Sequence, residues 1–281
     1  MYFILNICAC LNSYSDNKER KFMLKLKNIL LFFAVSAVVG SLARSFCLIY
    51  TTEPSTGFLL HRMKGLGIAL MAFIAVITLC LFVFSMFLRE RPLFKEVPSL
   101  NCAVSSIILA AAIIIDMVRG LFIEHSMLWQ FAAKEIFGIL SAITFFLYGL
   151  KKFIKVPFNP TFFSIPVVFI IFQTIEVFTS YATLAIITEH LFDLSVLCFL
   201  LIFFLYFAKN AAGIKGKYKN MLIPTGFCAS LLCITSFVSR SVTVLVGCES
   251  HLHGKNPLSV SLFFFGIFIL IWILESKEIT E

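Results

Sequence analysis

Eight long apolar segments constrain this chain of 281 residues more than any other feature. They cover roughly residues 28–50, 65–88, 100–121, 130–150, 161–187, 189–208, 221–246 and 258–275. An α-helix needs about 20 predominantly apolar residues to cross the hydrocarbon core of a bilayer. The segments do not alternate between apolar and polar residues, as the strands of a transmembrane barrel would. The pattern therefore predicts an all-α fold, a polytopic transmembrane helix bundle of about eight spans.

The composition supports a membrane protein and argues against soluble enzyme classes. Hydrophobic residues make up 60% of the chain and charged residues only 14%, whereas soluble domains are about 45–50% apolar and about 25% charged. The sequence contains no Walker motif, no Gly-rich phosphate loop and no GxSxG motif, so we predict no catalytic residues and no cofactor. The net charge of +8 is interpreted as an orientation signal rather than as a surface for nucleic acid.

Lys and Arg residues concentrate in alternate connections between the segments. Most of the 23 lie before the first segment, after the second, fourth and sixth segments, or in the C-terminal tail. Because basic loops stay on the cytoplasmic side, this asymmetry predicts that both termini are cytoplasmic. The aromatic residues predicted at the inner interface are Tyr148, Tyr206, Tyr218 and Trp272, and those at the outer interface are Tyr50 and Trp129.

The N-terminal stretch "MYFILNICACLNSYSDNKERKF" does not resemble the rest of the chain. Its apolar start is too short to span a bilayer, and it lacks the basic beginning of a signal peptide. We therefore predict that residues 1–22 are a non-structured extension, that translation starts at Met23, and that residues 23–281 form a single transmembrane domain. The nine cysteines are interpreted as small apolar side chains, with a Cys47–Cys248 disulfide as the alternative.

Ionisable residues inside the apolar segments form the candidate site. These residues are Arg44, Asp116, Lys134, Glu135, Glu176 and Asp193, with Arg119 and Arg240 at the margins. On the predicted topology all of them lie in the outer half of the bilayer. Each charge costs about 2.5–3.5 kcal/mol at a helix centre, so the charges must face one another, water or the headgroups. They are interpreted either as a polar solute site or as a structural network of ion pairs.

The placement of these charges also predicts which segments face lipid. The second and eighth segments carry no charge before Glu275, so we expect them to be peripheral, and we expect the other six to line the polar site. Arg44, Arg119 and Arg240 end three segments that run in the same predicted direction. This recurrence is explained by coincidence or by an internal duplication.

The loop after the first segment contains a compact turn, with Glu53, Pro54, Gly57 and Phe58 as its main residues. Proline presets φ and glycine allows a positive φ, so the chain can reverse tightly there. The histidines His125, His190, His251 and His253 also fall in predicted outer loops. They are only weak metal candidates, because no metal-binding spacing accompanies them, and we predict no metal site.

Two stretches carry a family resemblance. The string "LIYTTEPSTGFL", with Arg44 before it, and the run "ITEHLFDLSVLCFLLIFFLYFAKNAAG" resemble a family of multi-spanning membrane proteins of unknown function from Gram-positive, mostly clostridial, bacteria. Glu53 stands where members of that family more usually have aspartate. The resemblance implies a location in the cytoplasmic membrane of a bacterium and no particular activity.

These features leave two main functional hypotheses. The first is a small-solute transporter or permease-like protein with a polar site in the outer half of the bilayer. The alternative is a non-catalytic membrane sensor or an envelope assembly protein that uses its outer loops. The predicted partners are the lipid bilayer and either a small solute or an envelope protein, and no nucleic acid. An enzyme acting on lipids is a third class, for which no nucleophile or metal set is found.

Overall fold

The computed structural model describes residues 17–53, 59–87, 94, 97–123, 129–155, 158–183, 187–214, 216, 218–248, 252 and 259–276. Within these residues it contains eight α-helices and no strand. The helices are α1 (Asn17–Phe46), α2 (Lys64–Met86), α3 (Leu100–Ile123), α4 (Trp129–Leu150), α5 (Ser164–Thr183), α6 (Ile187–Ala211), α7 (Lys219–Leu245) and α8 (Val260–Glu275). This arrangement confirms the predicted all-α helix bundle.

Seven of these helices are long and apolar enough to cross a membrane, and α8 is an apolar helix of 16 residues. At about 1.5 Å per residue, α8 is about 24 Å long, which is shorter than a typical hydrocarbon core of about 30 Å. The fold therefore indicates a multi-pass membrane protein, and α8 is the shortest of its described α-helices.

Consecutive helices run in opposite directions. Near one end of the α1–α2 pair the rings of Phe32 and Phe84 lie 5.3 Å apart, and near the other end Arg44 meets Met71. Single contacts near matching ends join α3 to α4, α4 to α5 and α6 to α7. Two contacts, Gly226 with Ile273 and Phe237 with Phe263, show that α7 and α8 are antiparallel. The start of α1 and the end of α8 therefore lie at the same end of the bundle. We call it the basic end, because Lys151, Lys152 and Lys209 also lie there, and the opposite end the far end.

The most deeply buried helix is α7, whose residues Leu222–Cys233 are all buried. It packs against α1, α2, α6 and α8. Close contact between α7 and α8 depends on Gly266, because a Cβ there would lie 3.2 Å from the Cβ of Cys233 and 3.2 Å from the Ser230 carbonyl oxygen. At this contact the Ser230 hydroxyl donates to the Gly266 carbonyl at 2.7 Å. Small residues at close helix contacts are typical of membrane bundles.

The position of α8 corrects one expectation from the sequence. The eighth segment was expected to be peripheral, but α8 packs against α3 and α7, and its Phe265 ring lies near rings of α4 and α6. Residues Phe265, Phe268 and Trp272 are buried within this aromatic core. The absence of charge did not distinguish a helix that faces lipid from a helix that faces aromatic side chains. The prediction for the second segment is confirmed, because α2 keeps most of its surface exposed.

Other expectations about the chain ends and side chains have mixed outcomes. Residues 17–22, predicted to be unstructured, form the first turns of α1, whereas residues 1–16 lie outside the described part of the chain. The start at Met23 stays a prediction.

Cys47 and Cys248 are both free thiols, which excludes the alternative disulfide in this structure. Tyr148 and Trp272 lie toward the basic end as expected, but they are buried in the bundle rather than at its surface.

Candidate functional site

Arg44 is completely enclosed near the far end of the bundle. It lies in the last turn of α1 and has 0% exposure. Its guanidinium carbon stands 3.6 Å from the centroid of the Phe192 ring on α6, and its Nη1 atom is 3.6 Å from the Sδ atom of Met71 on α2. The first contact is a cation–π interaction, which is worth about 2 kcal/mol or more when it is desolvated. Three helices therefore meet around this one cation.

Arg240 on α7 forms the strongest ion pair described in the structure. Its Nη2 atom donates to both carboxylate oxygens of Asp193, at 2.8 and 2.6 Å. Arg240 is 4% exposed, so the pair is largely shielded from solvent. Asp193 follows Phe192 directly on α6, which means that Arg44 and Arg240 approach adjacent residues of one helix. We call Arg44, Phe192, Asp193 and Arg240 the arginine layer.

The register of α1 against α7 confirms that the two arginines lie at one depth. The rings of Phe33 and Phe227 are 6.0 Å apart, and a Cβ at Gly40 would lie 3.5 Å from the Thr235 hydroxyl oxygen. Residue numbers rise together in both pairs, so α1 and α7 are parallel. Arg44 lies one turn beyond Gly40 and is therefore level with the turn of α7 that contains Arg240. Arg44 and Arg240, two of the three arginines that end predicted parallel segments, thus occupy corresponding positions on α1 and α7.

Two hydroxyl groups one turn closer to the basic end lack a hydrogen-bond partner among the described residues. They belong to Thr235 and Ser236 on α7, and each residue is 1% exposed. Their neighbours along the helix behave differently, because Ser239 donates to the Ser236 carbonyl at 3.0 Å and Thr243 to the Ser239 carbonyl at 2.9 Å. Burying an unpaired hydroxyl costs about 1–3 kcal/mol.

A second charged cluster joins α4 and α5. The Lys134 Nζ atom lies 3.1 Å from Oε2 and 3.3 Å from Oε1 of Glu176, and 3.8 Å from Oε1 of Glu135. These side chains are mostly buried, with 11–18% exposure. A Cβ at Gly120 would lie 3.4 Å from the Glu135 carboxylate, which brings the α3 turn that contains Arg119 close to the cluster. The arrangement is an inter-helical clasp near the far end.

Asp116 has a different partner from those expected. Its carboxylate accepts hydrogen bonds from the backbone N–H of Val260 at 3.1 Å, the backbone N–H of Ser261 at 2.7 Å and the hydroxyl of Ser259 at 2.8 Å. These groups form the N-terminus of α8, where the first N–H groups have no partner within the helix. The helix dipole also favours a negative charge there. Asp116, which is 2% exposed, therefore caps α8 from α3.

Glu275 makes the reciprocal contact at the other end of the same two helices. It accepts from the Ser99 hydroxyl and, at 2.9 Å, from the Asn101 amide, both at the start of α3. A small, half-open depression lies beside this contact and is lined by Pro98, Ser99, Cys102, Tyr148, Trp272, Glu275 and Ser276. This depression lies toward the basic end, away from the predicted site residues.

The turn after α1 is held by backbone pairing. Cys47–Thr51 forms a π-helical turn, Thr52 pairs with Leu59 in an antiparallel bridge, and the Leu60 N–H donates to the Thr51 carbonyl at 2.8 Å. This pairing confirms the predicted reversal. Glu53 is among the described residues, whereas Pro54, Gly57 and Phe58 lie outside them.

The weak metal candidates His125, His251 and His253 also lie outside the described residues, as does the His190 side chain. Among the described residues, no group of three or more His, Cys, Asp or Glu side chains suits a metal ion.

The structure therefore divides the eight sequence candidates into three groups. The arginine layer includes Arg44, Asp193 and Arg240, the clasp includes Lys134, Glu135 and Glu176 with Arg119 nearby, and Asp116 belongs to the α3–α8 contact. Sequence analysis missed Phe192, Met71, Thr235 and Ser236. A signal was available for Phe192, since it precedes an aspartate at the start of an apolar helix, but Thr235 and Ser236 carry no signal that distinguishes them from the other hydroxyl residues of α7.

The fold and these buried charges define the class of the protein, a multi-pass helical membrane protein with ionisable groups in the helical bundle. Comparison with known proteins adds no narrower identity. No family model matches the chain, no curated protein matches it, and no solved structure matches it.

Proposed function

We propose that this protein is a small-solute transporter or permease-like protein whose binding site is the arginine layer. The observation that carries the proposal is the complete burial of Arg44 at the same depth as Arg240. Charged residues inside membrane helices are costly, and they commonly mark solute or ion pathways.

The surrounding contacts explain why this layer is favoured over the other charges. Asp116 caps α8, and Lys134 and Glu176 pair across α4 and α5, so each of these contacts joins two helices. The arginine layer joins three helices, α1, α6 and α7, and one turn below it the hydroxyls of Thr235 and Ser236 have no hydrogen-bond partner among the described residues. Polar groups that converge from several helices are typical of solute sites in helical bundles.

The proposal is tested by uptake into proteoliposomes. Purified protein would be reconstituted, offered a mixture of anionic, cationic and neutral small metabolites, and the entrapped solutes identified by mass spectrometry. Wild type is expected to accumulate at least one solute, and Arg44→Met is expected to remove that accumulation. Leu79→Ala is the control, because Leu79 is 62% exposed on the lipid-facing helix α2. Equal uptake by wild type, Arg44→Met and empty vesicles would contradict the proposal.

A second candidate function is a membrane sensor or envelope assembly protein. The observation that favours it is the paired turn after α1, where Thr52 and Leu59 form an antiparallel bridge at the far end. Replacing residues 53–58 with a neutral Gly–Ser turn would test it. A sensor or assembly protein is expected to lose its cellular phenotype while its amount in the membrane and its solute uptake stay unchanged, whereas a transporter is expected to lose neither.

A further inference from the structure

Two connections adjoin at the basic end, one between α4 and α5 and the other between α6 and α7. Phe163 lies just before α5, and its ring is 4.7 Å from the ring of Phe207 near the end of α6. In the second connection the Tyr218 hydroxyl donates to the carbonyls of Lys209 and Ile214, so the chain after α6 folds back onto the end of that helix. The two connections therefore lie beside each other.

These connections are basic and contain no acidic residue. Residues 151–163 include three lysines and residues 207–220 include four, and neither stretch contains aspartate or glutamate. Glu275, a carboxylate at the same end, is held by Ser99 and Asn101 of α3. Four of the lysines form no ion pair within the part of the chain that the structure describes, and we call them the lysine patch: Lys152, Lys155, Lys209 and Lys219. Their charges are therefore available to a partner outside the chain.

Exposed apolar side chains lie beside these lysines. Phe153 and Ile154 are 55% and 60% exposed. Their backbone N–H groups both donate to the Leu150 carbonyl at 2.9 Å, so a hydrogen-bonded turn holds them at the end of α4. Ile214, in the second connection, is also exposed. At a membrane interface, lysines extend to the headgroups while neighbouring apolar side chains lie among the acyl chains. A lipid surface therefore matches both kinds of side chain, whereas a soluble anion matches only the lysines.

The sign of the charge indicates which headgroup this surface fits. A zwitterionic headgroup carries no net charge to offset the ammonium groups, whereas an anionic phospholipid does. Clusters of about four to eight basic residues beside the end of a membrane helix are typical of binding to anionic lipids. We propose that the lysine patch binds the headgroups of anionic phospholipids in the leaflet at the basic end, with Phe153, Ile154 and Ile214 among their acyl chains. This surface lies at the opposite end of the bundle from the arginine layer, and lipid binding there does not depend on solute transport.

The proposal is tested with phosphatidylglycerol as the probe. The thermal midpoint of the full-length protein in detergent would be followed against added phosphatidylglycerol. Phosphatidylcholine with the same acyl chains is the neutral reference, and sodium phosphate is the soluble anion. A ligand that binds only the folded state raises the midpoint as its concentration rises. Phosphatidylglycerol is expected to act at a lower concentration than phosphatidylcholine.

Salt should weaken this preference for the anionic lipid. Raising NaCl from about 0.1 M to about 1 M shortens the screening length from about 10 Å to about 3 Å, so the difference between the two lipids is expected to shrink. Equal effects of the two lipids at low salt, or an equal rise of the midpoint with sodium phosphate, would overturn the proposal.

Paired variants separate the lysine patch from positive charge in general. Lys152→Gln with Lys155→Gln is expected to raise the concentration of phosphatidylglycerol needed for half of the stabilisation by about 25-fold, since each lysine near an anionic surface contributes about fivefold. Both side chains are exposed, so the midpoint without lipid is expected to equal that of wild type. Arg62→Gln with Lys64→Gln is the matched control, because it removes the same charge from exposed residues at the far end. Equal losses of affinity in the two paired variants would overturn the assignment to the patch.

Two further variants test the second connection and the apolar side chains. Lys209→Gln with Lys219→Gln is expected to weaken the effect of phosphatidylglycerol and to leave that of phosphatidylcholine unchanged. Phe153→Ser with Ile154→Ser is expected to weaken the effects of both lipids, because apolar contact with the acyl chains is lost. Unchanged phosphatidylglycerol affinity in the lysine variant would overturn a patch shared by both connections. Unchanged affinity for both lipids in the serine variant would overturn the placement of these side chains among the acyl chains.

Discussion

Removing the carboxylate of Asp116 should lower the free energy of unfolding more than removing any other single carboxylate among the described residues. Asp116 satisfies two backbone N–H groups and one hydroxyl at the start of α8. It lies seven residues before Ile123, the end of α3, so α8 begins about 10 Å below the end of its neighbour. A helix that starts at this depth has little water to satisfy its first N–H groups.

The size of the effect follows from these three hydrogen bonds. Leaving a buried N–H group unpaired costs about 1–3 kcal/mol, and loss of a capping side chain typically costs about 1 kcal/mol. The Ser259 hydroxyl makes no capping bond of its own and can recover part of this loss in the variant. We therefore expect Asp116→Ala to lose about 3–5 kcal/mol of folding free energy. At about 2–4 °C per kcal/mol for a chain of this size, the midpoint should fall by about 6–20 °C.

The assay is thermal unfolding in detergent, followed by the intensity of the monodisperse peak in size-exclusion chromatography. Glu275→Ala is the matched control, because Glu275 lies at the other end of the same helix pair and accepts only side-chain hydrogen bonds from Ser99 and Asn101. Its expected cost is about 1 kcal/mol. A fall in Asp116→Ala no larger than the fall in Glu275→Ala would refute the capping argument and would return Asp116 to the functional candidates.

Three further predictions concern helix contacts. Exchanging the charges of the clasp, as Lys134→Glu with Glu176→Lys, should restore most of the thermal stability that either single variant loses. If the double variant is no more stable than the single variants, the 3.1 Å pair does not act as a unit. Gly266→Val should lower the thermal midpoint, because overpacking costs about 1–3 kcal/mol of folding free energy. Gly65→Ala is the control and should cost less than about 1 kcal/mol, because no atom lies within 4 Å of the added Cβ. Equal losses of stability in the two variants would contradict the close contact of α7 and α8. Gly247→Ala should also lower the midpoint, by about 1 kcal/mol, because Gly247 has a φ of 78° at the end of α7, and an unchanged midpoint would exclude that cap.

The sequence was sufficient for the helices and their alternating directions because both depend on local properties. Hydrophobic length determines which segments are helical, and eight helices of alternating direction place the start of α1 and the end of α8 at the same end of the bundle. Contacts between distant helices were not predictable in this way. The capping of α8 by Asp116 joins residues about 144 positions apart, and nothing in either segment identifies the other. The central position of α8 likewise depends on the rings that surround it.

The candidate site was predictable in composition but not in grouping. The sequence indicated that the buried charges belong to the far half of the bundle, because charges in odd-numbered segments lie toward the C-terminal end and charges in even-numbered segments lie toward the N-terminal end. It could not separate the charges by role, since the cost of burial is similar for a helix cap, an inter-helical clasp and a solute site. The partners separate them: Asp116 contacts backbone N–H groups, and Lys134 contacts carboxylates.

The complete burial of Arg44 gives a physical reason to look for a ligand in this bundle. Its described contacts include an aromatic ring and a thioether. If Arg44→Met folds with a midpoint equal to or above that of wild type and loses solute uptake, the cation is retained for function at a cost in stability, as expected for a binding site. If the midpoint falls by several degrees and uptake in the remaining folded fraction is normal, the charge belongs to the structural network instead.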